Sequence, residues 1–166
     1  MDWNKIKQRA SELASQAAQK TGEVYDASTK KIKQYTPEGF SKEKKFVNSL
    51  VISLVLMTMA DKKAETEEVT ASIDLINEID EIKELELVTE AIELYELHLE
   101  TLDKVKDNGT KWTLEIAKLL SEIAKVKEYP EYPPMIENLL DYISQADGHT
   151  CELEEEMKQK ILKALK

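Results

Sequence analysis

The stretch Phe46-Val47-Asn48-Ser49-Leu50-Val51-Ile52-Ser53-Leu54-Val55-Leu56-Met57-Thr58-Met59-Ala60 is the longest charge-free run of the chain, and the fold turns on how it is read. As a helix it reaches about 22 Å, short of the roughly 30 Å hydrocarbon core of a bilayer. Asn48, Ser49 and Ser53 also interrupt the apolar run. The stretch therefore reads as a buried central helix and not as a membrane span. Ser41 ahead of it has the chemistry of an N-cap, with Glu43 and the apolar run behind it.

Working outward, a short charged link after Asp61 leads into a helix with Val69, Ile73 and Ile76 on one side, with a break near Asp80. Leu87, Val88, Ala91, Ile92, Leu94, Tyr95, Leu99, Leu102 and Val105 form a long amphipathic helix that Asp107-Asn108-Gly109 stops. Trp112, Ile116, Leu119, Leu120, Ile123 and Val126 make the next one, terminated by Tyr129-Pro130-Glu131-Tyr132-Pro133-Pro134. Met135 to Ala146 and Glu152 to Leu165 supply a last pair. The pattern predicts an all-α chain, a single compact antiparallel helical domain of about seven or eight helices.

Composition points the same way. A length of 166 residues fits one domain with a sizeable core. Four glycines and four prolines are too few for a turn-rich β-sandwich or a glycine-looped nucleotide fold. A net charge of −10 argues against a nucleic-acid binder, which needs a basic face to neutralise phosphates. Cys151 is the single cysteine, so no internal disulfide can form, and charges interleave the first twenty residues where a signal peptide would be apolar. These features predict a reducing, cytoplasmic location.

The charge is unevenly spread. Residues 1–45 carry ten Lys/Arg against six Asp/Glu, whereas residues 46–166 carry thirteen against twenty-seven. Residues 1–36 thus form a basic arm on an acidic body that spans residues 40–166. In the arm Trp3, Ile6, Ala10, Leu13, Ala14 and Ala17 recur at helical spacing with lysine and arginine beside them, and Thr36-Pro37-Glu38-Gly39 closes it. Two readings stand: peripheral attachment to anionic lipid or to a membrane protein's cytoplasmic side, placing the protein at the inner face of the membrane, or packing of this alanine-rich stripe on the acidic body.

Placing Asp61 over Asp147 superposes Leu54 on Leu140, Leu56 on Tyr142, Met57 on Ile143, Thr58 on Ser144 and Ala60 on Ala146. A glutamate cluster follows each aspartate, and one inserted residue aligns Ala64 with Cys151, Glu67 with Glu154 and Glu68 with Glu155. This duplication suggests internal pseudo-twofold symmetry. An aspartate at one helix end facing glutamates in the next helix's first turn gathers carboxylates that either raise one another's pKa or recruit a hard divalent ion, Ca²⁺, Mg²⁺ or Mn²⁺. The spacing is not that of an EF-hand. The competing reading is that glutamates at helix starts complement the macrodipole, with Thr66 or Thr150 as caps.

The paired units Met59-Ala60-Asp61-Lys62-Lys63-Ala64-Glu65-Thr66-Glu67-Glu68 and Gln145-Ala146-Asp147-Gly148-His149-Thr150-Cys151-Glu152-Leu153-Glu154-Glu155, each behind an apolar helix, resemble the TerB family of tellurite-resistance proteins over about residues 40–166. The resemblance implies an all-α fold with pseudo-symmetry, a stress-response role and metal binding by acidic residues, here Asp61, Glu67 and Glu68 in one half and Asp147, Glu154 and Glu155 in the other. It also implies TerC-like membrane proteins and TerD-like proteins as partners. Lys62 stands where that family has glycine, so a positive φ there would be strained and an ammonium would sit beside the ion.

Other chemistry finds no support. Neither His98 nor His149 has a glutamate three residues before it, as ferritin-like di-iron ligation needs, and no phosphate loop, nucleophile elbow or zincin motif occurs. His149 and Cys151 read as a loop histidine and a small buried cysteine, and Met57, Met59 and Met135 as core. No organic cofactor is implied. The leading expectation is a non-enzymatic, divalent-cation-responsive module of the tellurite-resistance type coupled to a membrane-associated partner. The alternative is an acidic adaptor that binds a basic protein without metal. Tellurite reduction comes third and would need an exposed, activated Cys151 thiolate.

Overall fold

Why the run from Phe46 to Met57 can be apolar on every side is evident in the computed structural model of the chain, which describes residues 35–146 and 151–166 together with Gln8 and Glu12. Helix α1, Lys42–Thr58, has twelve consecutive buried residues, Phe46 through Met57. Such a helix must be covered all round, and five others pack against it. They are α2 (Thr66–Glu78), α4 (Val88–Val105), α5 (Gly109–Ala124), α6 (Tyr132–Ala146) and α7 (Glu152–Leu165). The short α3 (Asp80–Glu84) joins α2 to α4, and a 3-10 turn over Lys125–Glu128 joins α5 to α6. The described chain is thus an all-α domain of seven α-helices, of which α1 is the central one. No helix among the described residues is long and apolar enough to cross a membrane.

The local signals behave as their chemistry requires. Ser41 Oγ accepts the Lys44 N–H at 3.2 Å and starts α1. Val69, Ile73 and Ile76 are the buried face of α2. The break falls at Ile79, whose extended ψ of 114° ends α2 and starts α3. Two readings need correction. Asn108 does not only stop α4: its side chain accepts the Lys111 N–H at 3.0 Å and caps α5. Pro133 and Pro134 do not lie in a terminating loop but in the first turn of α6, where a missing N–H costs no hydrogen bond. Phe46 stacks on Tyr132 at 4.4 Å between ring centroids, which seats the start of α6 on α1.

The polar residues of α1 are satisfied from within. Ser53 Oγ donates to the Ser49 carbonyl at 2.8 Å. Asn48 Nδ2 donates to Tyr35 Oη at 3.0 Å, which turns its Oδ1 toward His98 Nε2 at 3.1 Å. Nε2 therefore carries the proton of a neutral imidazole. Burial pushes His98 down to about 4 and Tyr35 up to about 12, so both stay uncharged. Of residues 1–34 only Gln8 and Glu12 are described, both helical and exposed, with Gln8 Nε2 donating to Glu12 Oε1 at 3.1 Å. The rest of the basic arm lies outside the described residues.

Candidate functional site

The acidic clusters come first, because sequence singled them out. Asp61 follows the end of α1, and its Oδ1 accepts the Lys63 N–H at 2.8 Å, closing the link on itself. Lys62 has φ 64°, the left-handed conformation that glycine adopts most easily. Its ammonium lies over the Trp112 ring of α5, 5.3 Å from the centroid, and so is held against an aromatic face. Glu65 is the N-cap of α2, and Glu68 Oε2 accepts the Glu65 N–H at 3.2 Å in a capping box. Glu67 is exposed in the same turn.

The second cluster repeats the cap. Cys151 precedes α7, and Glu154 Oε2 accepts the Cys151 N–H at 2.8 Å. Glu155 Oε1 accepts from Gln159 Nε2 at 2.8 Å. Asp147, Gly148, His149 and Thr150 lie outside the described residues. Glu65 and Glu68 therefore correspond to Cys151 and Glu154 at the same interval that relates Asp61 to Asp147, without an inserted residue, and the pairing of Glu67 with Glu154 is corrected. The N-cap positions fall to Glu65, in place of Thr66, and to Cys151; Thr150 lies outside the described residues. The apolar register also breaks: Leu56 is fully buried, whereas Tyr142 is 61% exposed. Cys151 is exposed rather than buried, while Met57 and Met59 belong to the core.

These contacts bear on whether a cation fits. One oxygen each of Asp61, Glu68 and Glu154 is taken by a backbone N–H. Among the described residues no group of three or more His, Cys, Asp or Glu is arranged to hold a metal ion. Glu68 and Glu154 thus serve as helix caps and Asp61 as a brace of its link.

What the two caps do instead is flank one groove. It has a volume of about 380 Å³. Leu54, Met57 and Thr58 of α1 form its floor; Glu68, Ala71, Ser72, Asp74, Leu75 and Glu78 of α2 line one wall; Tyr142, Ile143 and Ser144 of α6 and Glu154 of α7 line the other. Among the described residues that line it are four carboxylates and no lysine or arginine. The nearby Lys158 is bound to Asp141 at 2.9 Å and donates to Ser144 Oγ at 3.2 Å. Partial burial holds the Glu68 carboxyl above the usual range, and Glu65, Asp61 and Glu154 add repulsion against the Glu65 N–H that favours its charge.

The base of the groove is rigid and neutral. Thr58 Oγ1 donates to the Leu54 carbonyl at 3.1 Å, so the hydroxyls of Ser72, at 3.3 Å, and Tyr95, at 3.2 Å, donate to it. Burial pushes Tyr95 up to about 12. Sequence reasoning missed Ala71, Asp74, Glu78 and Tyr142. The first three share the face of α2 turned away from Val69 and Ile73, and only Tyr142, superposed on Leu56 in the aligned register, left a signal. No protein-family model, curated protein or solved structure matches the chain.

Proposed function

We propose that this chain is a non-enzymatic binding module whose groove between α2, α6 and α7 receives a basic amphipathic helix of a protein partner without metal. The observation that carries this reading is the groove itself, an apolar floor with four carboxylates, Glu68, Asp74, Glu78 and Glu154, among its described lining residues. From Glu68 to Glu78 its α2 wall rises about 15 Å, the length of roughly three helical turns. A helix with apolar anchors at i, i+3 or i+4 and i+7, flanked by lysine or arginine, complements that surface. The carboxylates supply steering and register and the floor supplies the burial.

The test is titration of the full chain with a synthetic amphipathic peptide of leucine and lysine. Binding is expected to weaken steeply with salt, to ignore chelators, and to be lost in the Asp74→Lys/Glu78→Lys variant. Binding that survives this charge reversal overturns the reading.

A second reading, the divalent-cation module of the tellurite-resistance type with TerC-like or TerD-like partners, is favoured by one observation: Asp61, Glu65 and Glu154 all press on the Glu68 charge. A cation there would relieve that repulsion. Calorimetric titration with Ca²⁺, Mg²⁺ and Mn²⁺ separates the two readings, since binding lost on Asp61→Asn and Glu68→Gln supports the metal and silence supports the adaptor.

A further inference from the structure

We infer that the groove reads its partner helix through one buried tryptophan, whose indole N–H donates to Ser72 Oγ; this rests on the groove being a helix-binding site. At the base of the groove the hydroxyl protons are committed within the fold. Thr58 donates to the Leu54 carbonyl at 3.1 Å, and Ser72 and Tyr95 donate to Thr58 at 3.3 and 3.2 Å. Ser144 on the α6 wall donates to the Leu140 carbonyl at 2.9 Å. A serine hydroxyl has one proton and two lone pairs, so Ser72 has only an acceptor left for a ligand. Glu68 and Glu154, which line the same groove, are also acceptors when charged. Tyr142, the other lining hydroxyl, stands on the α6 wall and is 61% exposed.

A base that accepts hydrogen bonds and gives none decides which side chain can be buried on it. Leu54, Met57, Ala71, Leu75 and Ile143 share the lining with Ser72, so the anchor is apolar over most of its surface. A volume of about 380 Å³ is near the lower end of small-molecule pockets, about 300–1,000 Å³, and takes one or two side chains of a helix rather than its whole face. Leucine and phenylalanine fill the space but cut the Ser72 oxygen off from water without giving it a donor. Tyrosine can donate, but it brings two lone pairs to a base that has no proton for them. Lysine and arginine are donors only, and their charge belongs at the rim beside the exposed Glu78. Tryptophan is the large apolar side chain with one donor and no acceptor. Glu78 stands six residues beyond Ser72 in α2, about 9 Å along the axis, so a lysine or arginine one to two turns from the tryptophan reaches it.

The experiment is isothermal titration of the full chain with leucine–lysine amphipathic peptides that differ only in the central anchor: tryptophan, benzothienylalanine, phenylalanine or tyrosine. Benzothienylalanine keeps the shape of tryptophan with sulfur in place of the N–H. The tryptophan peptide is expected to bind about tenfold more tightly than the other three, the effect of pairing one buried acceptor. In Ser72→Ala the advantage of tryptophan over phenylalanine should fall below about twofold, a coupling that a general loss of packing would not produce. Because Ser72→Ala also removes a donor to Thr58, its fold is checked by thermal melt, and the benzothienylalanine peptide tests the same bond on the natural chain. Equal affinity for the tryptophan and benzothienylalanine peptides, a tyrosine peptide as tight as the tryptophan one, or a tryptophan advantage that survives in folded Ser72→Ala overturns the inference and leaves the groove as a helix site. If none of the peptides binds, the groove reading itself fails and the tryptophan anchor with it.

Discussion

Acidification should destabilise this domain through His98 before its carboxylates protonate. The imidazole is buried between α4 and α1, with Nε2 3.1 Å from Asn48 Oδ1 and its ring 4.9 Å from that of Tyr35. Among the described residues no carboxylate contacts it to support a positive charge, and burial lowers its folded pKa to about 4 from an ordinary value of 6.5. The unfolded chain therefore binds the extra proton first. The stability associated with neutral His98 is fully present above pH 6.5, falls as pH drops through the window to about 4, and falls no further below it. Integrating across that window gives a loss of about 2 kcal/mol at pH 5 and about 3 kcal/mol at pH 4. The pH 5 figure corresponds to about 4–8 °C in Tm for a domain of this size. The assay is urea unfolding followed by circular dichroism at pH 7, 6 and 5, on the natural chain and on His98→Gln. The glutamine of this variant does not titrate and its amide can still donate to Asn48, while every carboxylate titrates in both proteins and cancels in the difference. Curves that stay parallel from pH 7 to 5 would refute the claim that His98 is held neutral by burial.

Two further outcomes test the link and the cap. Glu68→Gln keeps an acceptor for the Glu65 N–H and removes a charge that its raised pKa shows to be disfavoured in the fold, so stability at pH 7 should be unchanged or up to about 0.5 kcal/mol higher, and Glu68→Ala about 1 kcal/mol lower. Because the folded carboxyl binds its proton more readily than the unfolded one, the advantage of Glu68→Gln should shrink as pH falls through the ordinary carboxylate range; thermal melts across pH 7 to 4 check it. Lys62→Gly relieves a left-handed backbone at φ 64° but forfeits the Trp112 contact at 5.3 Å. The two effects, each about 1 kcal/mol, should nearly cancel in the natural chain and leave a net gain of about 1 kcal/mol in a Trp112→Leu background, read from urea midpoints.

The fold was legible where a signal has one physical meaning. A run of twelve buried residues cannot be a surface helix, so Phe46 to Met57 specified the centre of the domain. Val69, Ile73 and Ile76 share one face of any helix they belong to. Signals with two meanings misled. Asn108 suits a helix end or a helix start, and Pro133 and Pro134 break a helix in its middle but fit its first turn. The clusters were legible as carboxylates and not as sites, since a glutamate three residues into a helix is spaced equally well for a backbone N–H and for a cation. Glu68 and Glu154 chose the backbone. The groove was not legible at all. It depends on α2 facing α6 across a groove and some seventy residues of sequence, and periodicity along one helix carries no information about which helix faces it.

For the proposed helix partner, the direction of α2 decides which of the groove's carboxylates govern binding. Glu68 stands in the first turn, where the partial positive charge of the helix N-terminus and a backbone hydrogen bond already answer its own. Glu154 is in the same position on α7. Asp74 and Glu78 lie toward the C-terminal end of α2, where the macrodipole adds to their negative charge. The pull on a basic side chain of the proposed partner is therefore strongest toward the C-terminal end of α2, at Glu78, displaced from the links where the sequence placed a metal. Neutralising Glu78 to glutamine should weaken the leucine–lysine peptide by about fivefold, the worth of one partly exposed ion pair near 1 kcal/mol. Neutralising Glu154 should cost less than about twofold. Isothermal titration of the two variants at one ionic strength compares them directly. A larger loss at Glu154 than at Glu78 would mean that the capping glutamates, and not the outward face of α2, are the groove's working charges.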